Sequence, residues 1–302
     1  MAERPPLSAD GRRRGPSPEQ LRRRRVAVLA AIVAAIVAVV VAVVVALPHV
    51  HRTHALPPPP PPPTPFRVVF PEGFTRAQMA VRVRDVAQIA HRKSHKPVKL
   101  TLASYNAASR TAPVPCFGRK AQKNLEGFLF PATYDFLAAT TSKQLVLDQL
   151  QAFCTQWHDV DLSYARKKNL TPYDVLIIAS MVEKEARAAS ERPLVAAVIY
   201  NRLHARMPLG IDATLRYGLH IPATQSILES QLASDNPYNS RRLVGLPPTP
   251  IANPGLASIR AAAHPAAVDY LYFVRKPDMV HHFFTASDTA FAQYECAHGY
   301  GC

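Results

Sequence analysis

Residues Thr171–Ala189 read TPYDVLIIASMVEKEARAA, and the reading of this stretch decides what the second half of the chain can be. Pro172 suits the first turn of a helix, Thr171 is a natural N-cap, and Asp174 stands near the positive end of the dipole. Wound at about 100° per residue, Ile178, Met181, Val182, Glu185 and Ala189 fall on one stripe. Glu185 therefore interrupts an apolar face, while Glu183, turned roughly 200° from it, faces the other way. A carboxylate on an apolar stripe is a local contradiction of the kind that marks functional positions. Desolvation penalises its charged form, which moves its pKa toward the range where a carboxylic acid donates a proton near neutral pH. The plainer reading is a slightly rolled helix, with Arg187 or Lys184 as partner at the edge of the core.

Working outward, the N-terminal side predicts an anchor. Val26–Leu47 contains only Ala, Val, Ile and Leu, and as a helix it spans roughly 33 Å, enough to cross a bilayer. The run is too long for a usual signal-peptide core and no small-x-small cleavage site follows, so a retained single-pass helix over residues 26–48 is expected. Residues 1–25 carry Arg12–Arg14 and Arg22–Arg25 and no apolar pattern, and are read as a disordered basic tail. The arginines place that tail in the cytoplasm and the rest of the chain outside the plasma or inner membrane. Residues 49–65 form a linker around the seven prolines Pro57–Pro63, a polyproline II spacer.

Net charge is +15 over 302 residues, a balance that elsewhere would suggest nucleic acid. The expected external location removes that reading: the basic tail suits anionic lipid headgroups, and the remaining charge suits an anionic wall polymer. Four cysteines, Cys116, Cys154, Cys296 and Cys302, make an even set for an oxidising compartment. Cys296–Cys302 could close a small loop, leaving Cys116–Cys154 as the other pair. A metal site from His281, His282, Cys296, His298 and Cys302 competes, but its spacing fits no standard zinc pattern, so neither metal nor cofactor is expected. A G-x-S-x-G elbow and a glycine-rich phosphate loop are both absent.

Phe66–Leu100 predicts a small α/β module: FRVVF as a strand, then a helix capped by Thr75, then a basic loop over His91–Pro97. Leu125–Phe136 resembles a hairpin around Pro131, and Gln144–Trp157 an amphipathic helix. After the Glu185 helix come a second helix at Arg192–His204, a long irregular stretch from Met207 to Pro254, and a short helix at Leu256–His264. The strands Tyr270–Val274 and His282–Thr285 pair as a hairpin, and a last helix includes Asp288–Tyr294. So much irregular backbone in a compact domain usually lines something.

ASMVEKEA (179–186), VIYNRL (198–203), PLGIDATLRYGL (208–219), NPYNS (236–240), GLPPTPIANPG (245–255), YLYFV (270–274) and HHFFT (281–285) together resemble the membrane-bound endolytic murein transglycosylases of the YceG-like family. The order and spacing match from about Pro65 to Gln293. The resemblance implies an α+β fold: a LysM-like module with its connecting segment at 66–165, then a mainly helical, lysozyme-like catalytic domain with a small β-hairpin at 166–302. It implies a lytic transglycosylase, a carbon–oxygen lyase that cuts the MurNAc–GlcNAc bond of nascent peptidoglycan strands to leave 1,6-anhydroMurNAc ends and so terminates their elongation. Glu185 matches the family's catalytic glutamate in its V-x-K/Q-E-S/T/A setting, and Glu183 does not. Substrate binding or orientation of Glu185 would fall to Asp212, Thr214, Tyr217, Tyr238, Asn239, Asn253, His282 and Glu126. Ordinary structural roles compete at each: Asp212 and Asn253 as turn caps, Tyr217 and His282 as satisfied core groups. Where the family usually reads L-Q-[ST]-D-P-T, this chain has Leu209–Thr214 as LGIDAT. Partners implied are glycan strands, the membrane and peptidoglycan synthases of the elongation machinery. The rival reading is a non-catalytic peptidoglycan-binding membrane scaffold of the synthesis machinery. A third is a muramidase-type hydrolase with a water held by Asp212 or Asn239.

Overall fold

A computed structural model describes residues 17–50, 62–118 and 121–300. Two compact units divide the chain, residues 1–62 and 63–302. The first contains α1 (Pro18–Val50). By length and composition α1 can cross a bilayer, with mean hydropathy 3.4 over its apolar part. It begins earlier than expected: Arg22–Arg25, read from sequence as disordered, lie inside the helix. Arginine is a good helix former, Pro18 suits the first turn, and Ser17 and Gln20 exchange bonds of 3.2 and 3.4 Å, so the apolar run propagates its helix backward. The rest of the basic tail and most of the proline run lie outside the described residues.

In the second unit β1 (Phe66–Val69) leads to α2 (Arg76–Ser94), which starts in a Thr75–Gln78 capping box. The helix runs into the segment read as a basic loop. Next come α3 (Leu102–Ala108) and a two-residue ribbon of β2 (Ala112–Pro113) and β3 (Ala121–Gln122). β4 (Thr133–Phe136) pairs antiparallel with β1, Phe66 opposite Phe136. The hairpin expected within Leu125–Phe136 is thus not formed: only its last four residues are a strand, and its partner is 64 or more residues earlier. α4 (Ser142–Trp157) packs on α3, where Tyr105 donates to Gln149 across 2.6 Å. A Cys116–Cys154 disulfide ties the ribbon segment to α4, beside the rings of Phe117, Phe128, Phe153 and Trp157. Cys296 is also disulfide-bonded, while Cys302 lies outside the described residues.

α5 (Ser163–Lys167) then leads into α6 (Pro172–Glu185), capped by Thr171 and Asp174 in a reciprocal box. Val175 to Val182 are all buried, because α7 (Arg192–His204) and α10 (Leu256–Ala263) cover α6. Between them the irregular stretch holds two short helices, α8 (Asp212–Gly218) and α9 (Glu229–Leu232). β5 (Tyr272–Arg275) and β6 (His282–Thr285) form the expected hairpin, followed by α11 (Asp288–Ala297). The architecture is α+β, with small two-stranded sheets around helices.

Gly127 shows how tightly the N-terminal elements of this unit meet α6. Its φ is +90°, and a Cβ there would lie 2.6 Å from Pro250 Cγ and 3.2 Å from Leu176 Cδ2. Gly127→Ala is expected to cost about 2–4 kcal/mol from backbone strain plus overpacking, read as a lower urea midpoint. An unchanged midpoint would show that this junction yields.

Candidate active site

α6 ends at Glu185, four residues short of the stretch read as helical, with Ala186 already extended. The carboxylate therefore sits at the carbonyl end of a helix, an environment that disfavours negative charge. Glu185 is partly exposed as a residue while its carboxylate is enclosed by protein. Burial is the main cause that pushes its pKa above the ordinary carboxylate range, and the charge of Asp212 adds to it. Arg275, the Ala213 N–H at the start of α8, and Lys184 pull the other way. Those opposing groups can stabilise the anion once the proton has left.

Glu183, as the helical wheel requires, points to the opposite side. Its Oε2 accepts from Gly255 N (3.1 Å) and Ser258 Oγ (2.7 Å), so it caps α10.

The residues expected near Glu185 divide into three groups. Asp212 is the one whose charge acts on it, and Asp212 also pairs with Arg241 at 2.5 Å. A second group surrounds Glu126: its Oε1 accepts from Arg76 N and from Asn253 Nδ2, both at 2.9 Å, and its Oε2 from the Tyr217 hydroxyl at 3.1 Å. Asn253 Oδ1 in turn accepts from Gly127 N and Leu129 N, both at 2.9 Å, and its Nδ2 also donates to Phe74 O. Tyr217 packs on Tyr238, whose hydroxyl meets Thr249 Oγ1 at 2.8 Å. The third group shapes the loops. Thr214 Oγ1 donates to Ile211 O, and Asn239 Nδ2 donates to Leu232 O and Ser234 O. His282 stands apart from these, its Nδ1 2.7 Å from Glu191 Oε2 and its N–H donating to Glu191 Oε1.

Thr214, Asn239, Asn253, His282 and Glu126 are all buried, so their side chains hold neighbours in place. Tyr217 and Tyr238 are half-buried and Asp212 is about as open as its partner Arg241. His281, His282 and His298, weighed as metal ligands, bond instead to Asp278, Glu191 and the Tyr294 carbonyl.

Sequence reasoning missed the basic side of the site. Arg275 and Arg241 both act electrostatically on Glu185, and the Arg275 Nε is buried without a hydrogen-bond partner. An arginine directly after the apolar run YLYFV was the available signal. Arg202 was missed as well: it donates to Leu271 O (2.5 Å) and Leu209 O (2.9 Å), fixing the loop that leads into α8.

Burial of Glu126 makes a pH prediction. Desolvation raises its pKa to about 7, against the pull of the Arg76 N–H, Tyr217 and Asn253. The folded state therefore holds this proton more tightly than the unfolded chain. The stability it contributes is complete below about pH 4.5 and is lost as pH rises to about 7, some 3 kcal/mol in all. Urea midpoints of the wild type relative to Glu126→Gln should fall across that window. A constant difference between the two proteins would sink the assignment.

These features define a class: an α+β protein with one enclosed carboxylic acid at a helix end and cations to receive its charge. Within that class the chain belongs to the YceG-like family, whose model matches residues 53–295. It is 33% identical over 218 residues to an endolytic murein transglycosylase of Bacillus subtilis, covering 70% of this chain and 59% of that protein. It is also 33% identical over 224 residues to an endolytic murein transglycosylase of Streptococcus pneumoniae, covering 68% and 40%. The chain thus spans about half the length of these relatives. The crystal structure of a yceG-like protein from Listeria monocytogenes superposes with a TM-score of 0.61 at 29% identity, covering 76% of each chain.

Proposed function

We propose that this protein is a membrane-anchored endolytic lytic transglycosylase acting on nascent peptidoglycan strands. The single observation that carries the reading is Glu185: an acid enclosed at the end of a helix, held above its ordinary pKa by burial, with Arg275 and the Ala213 N–H near enough to favour its anion. Protonated Glu185 gives its proton to the oxygen of the MurNAc–GlcNAc bond as an oxocarbenium-like state forms. The resulting carboxylate takes the proton from the C6 hydroxyl of the same MurNAc. That oxygen attacks C1, giving a 1,6-anhydro end with no water added, and ending growth of the strand. Tyr217, Tyr238 and Asp212 border the sugar, and the buried Thr214, Asn239, Asn253, His282 and Glu126 hold the walls.

Support for location comes from α1, which carries Arg22–Arg25 in its first turns ahead of the apolar run, and from the Cys116–Cys154 disulfide, which suits an extracytoplasmic, oxidising compartment. Residues 66–165 act as a LysM-like glycan grip ahead of the catalytic part, and synthases of the elongation machinery supply the substrate. The hydrolase alternative has less support, because Asp212 is ion-paired to Arg241 and the buried Asn239 donates to two carbonyls.

The test digests purified glycan strands with the full chain in detergent and reads the new ends by mass spectrometry. AnhydroMurNAc ends are expected. Reducing ends would mean hydrolysis, and intact strands would favour a wall-binding scaffold.

A further inference from the structure

One seven-residue helix packs on α6, which ends at Glu185, and is bonded to Glu126. α8 carries Tyr217 near its C-terminal end, bonded to Glu126, and at its start the Ala213 N–H that acts on Glu185. We propose that Glu126 is a positioning residue for Glu185, acting through Tyr217 and α8 to keep the Ala213 N–H on the Glu185 carboxylate. The inference rests on the reading of Glu185 as the acid and base, and gives a physical route for the orienting role among those the family resemblance allows Glu126 and Tyr217.

The bonding explains why a carboxylate suits position 126. From α2 comes the Arg76 N–H, from α8 Tyr217, and from the loop before α10 Asn253; the Arg76 guanidinium is turned to Asn106 O and Ser109 Oγ, and the nearby Tyr105 of α3 donates to Gln149. Arg76 N and Asn253 Nδ2 can only donate. Both reach Oε1 at 2.9 Å, with the Arg76 N–H also 3.2 Å from Oε2, so Oε1 must remain an acceptor. Oε2 is then the side that answers the Tyr217 hydroxyl, and the geometry of two donors on one oxygen fixes where the other points. Tyr217 is pressed against Tyr238 and cannot swing freely to another partner. α8 is further pinned at its entrance, where Ile211 N donates to Ser240 Oγ at 3.0 Å and the Arg202 guanidinium holds the carbonyls of Pro208 and Leu209. With its start held by that loop and its end by Glu126, the helix has little room to rotate, and the Ala213 N–H keeps its aim.

Two variants separate positioning from mere packing. Tyr217→Phe removes one hydroxyl, and Glu126→Ala removes its acceptor. Each is expected to lower kcat about tenfold or more with KM within about twofold, as misplacement of a catalytic group does. The double variant should be no slower than the slower single one, since both cut the same link. Independently of turnover, 13C NMR titration of Glu185 in the full chain should show its pKa rising in both variants, because the Ala213 N–H no longer favours the anion. Additive losses, or an unmoved Glu185 titration in Tyr217→Phe, would overturn the proposal. If the wild type cleaves no strands while the titration still shifts, the positioning stands and the transglycosylase reading falls. Should Glu126→Ala fail to fold, Tyr217→Phe alone carries both readouts.

Discussion

Glu185→Gln is expected to lower strand cleavage by at least about 10³-fold while leaving glycan binding intact. General acid–base catalysis by a positioned side chain contributes some 10²–10⁴-fold, and in the proposed reaction one carboxyl performs both the donation and the later abstraction. Glutamine keeps the shape and can do neither. Nothing nearby substitutes: Asp212 is tied to Arg241, and Glu183 faces α10. Folding should not suffer, because removing an enclosed carboxylate relieves a desolvation cost. Glu183→Gln is the matched control. It weakens the cap on α10 by about 1 kcal/mol and leaves turnover within a few fold. A Glu185→Gln protein that still cleaves within tenfold of wild type would place the chemistry elsewhere.

The largest structural effect is expected at Asn253. Its side chain makes four bonds of 2.9 Å, two accepted from Gly127 and Leu129 and two donated to Phe74 O and Glu126. Its backbone adds two more with Gly73 and Phe74. Asn253→Ala strands two buried N–H groups and removes a donor from the buried Glu126 carboxylate. Each buried group left unmatched costs about 1–3 kcal/mol, so a loss of about 3–5 kcal/mol and a melting temperature lower by roughly 10 °C are expected. The loss should be greater above pH 7, where Glu126 is ionised and needs its donors most. A drop of less than roughly 2 °C would mean that water replaces these bonds readily.

How much of this was legible in the sequence depends on whether local chemistry or distant contact decides. The capped helices were: Thr75 and Thr171 each mark a start through a local hydroxyl bond, and α7 occupies the predicted Arg192–His204. The opposite facing of Glu183 and Glu185 followed from helical period alone. The end of α6 did not, since nothing in EARAA forbids another turn; the chain leaves the helix to reach α7 under α10. Leu125–Phe136 misled for a similar reason, its strand partner lying in β1 rather than next door. Buried hubs such as Glu126 and Asn253 were visible as unusual polar residues in apolar segments, but their joining across 127 positions is a property of the fold. The arginines near Glu185 were hidden because one isolated charge at a strand end is ordinary on any protein surface.

The knot at Asn253 also sets an order of events during synthesis. A ribosome-bound chain that has emerged only to residue 240 already holds α6 with Glu185, yet lacks α10 and the asparagine that closes the Glu126 cluster. It also lacks Arg241 and Arg275, whose charges act on Glu185. A chain interrupted at that point carries the acid without its vise, so on the proposed function premature fragments of this protein would cleave little.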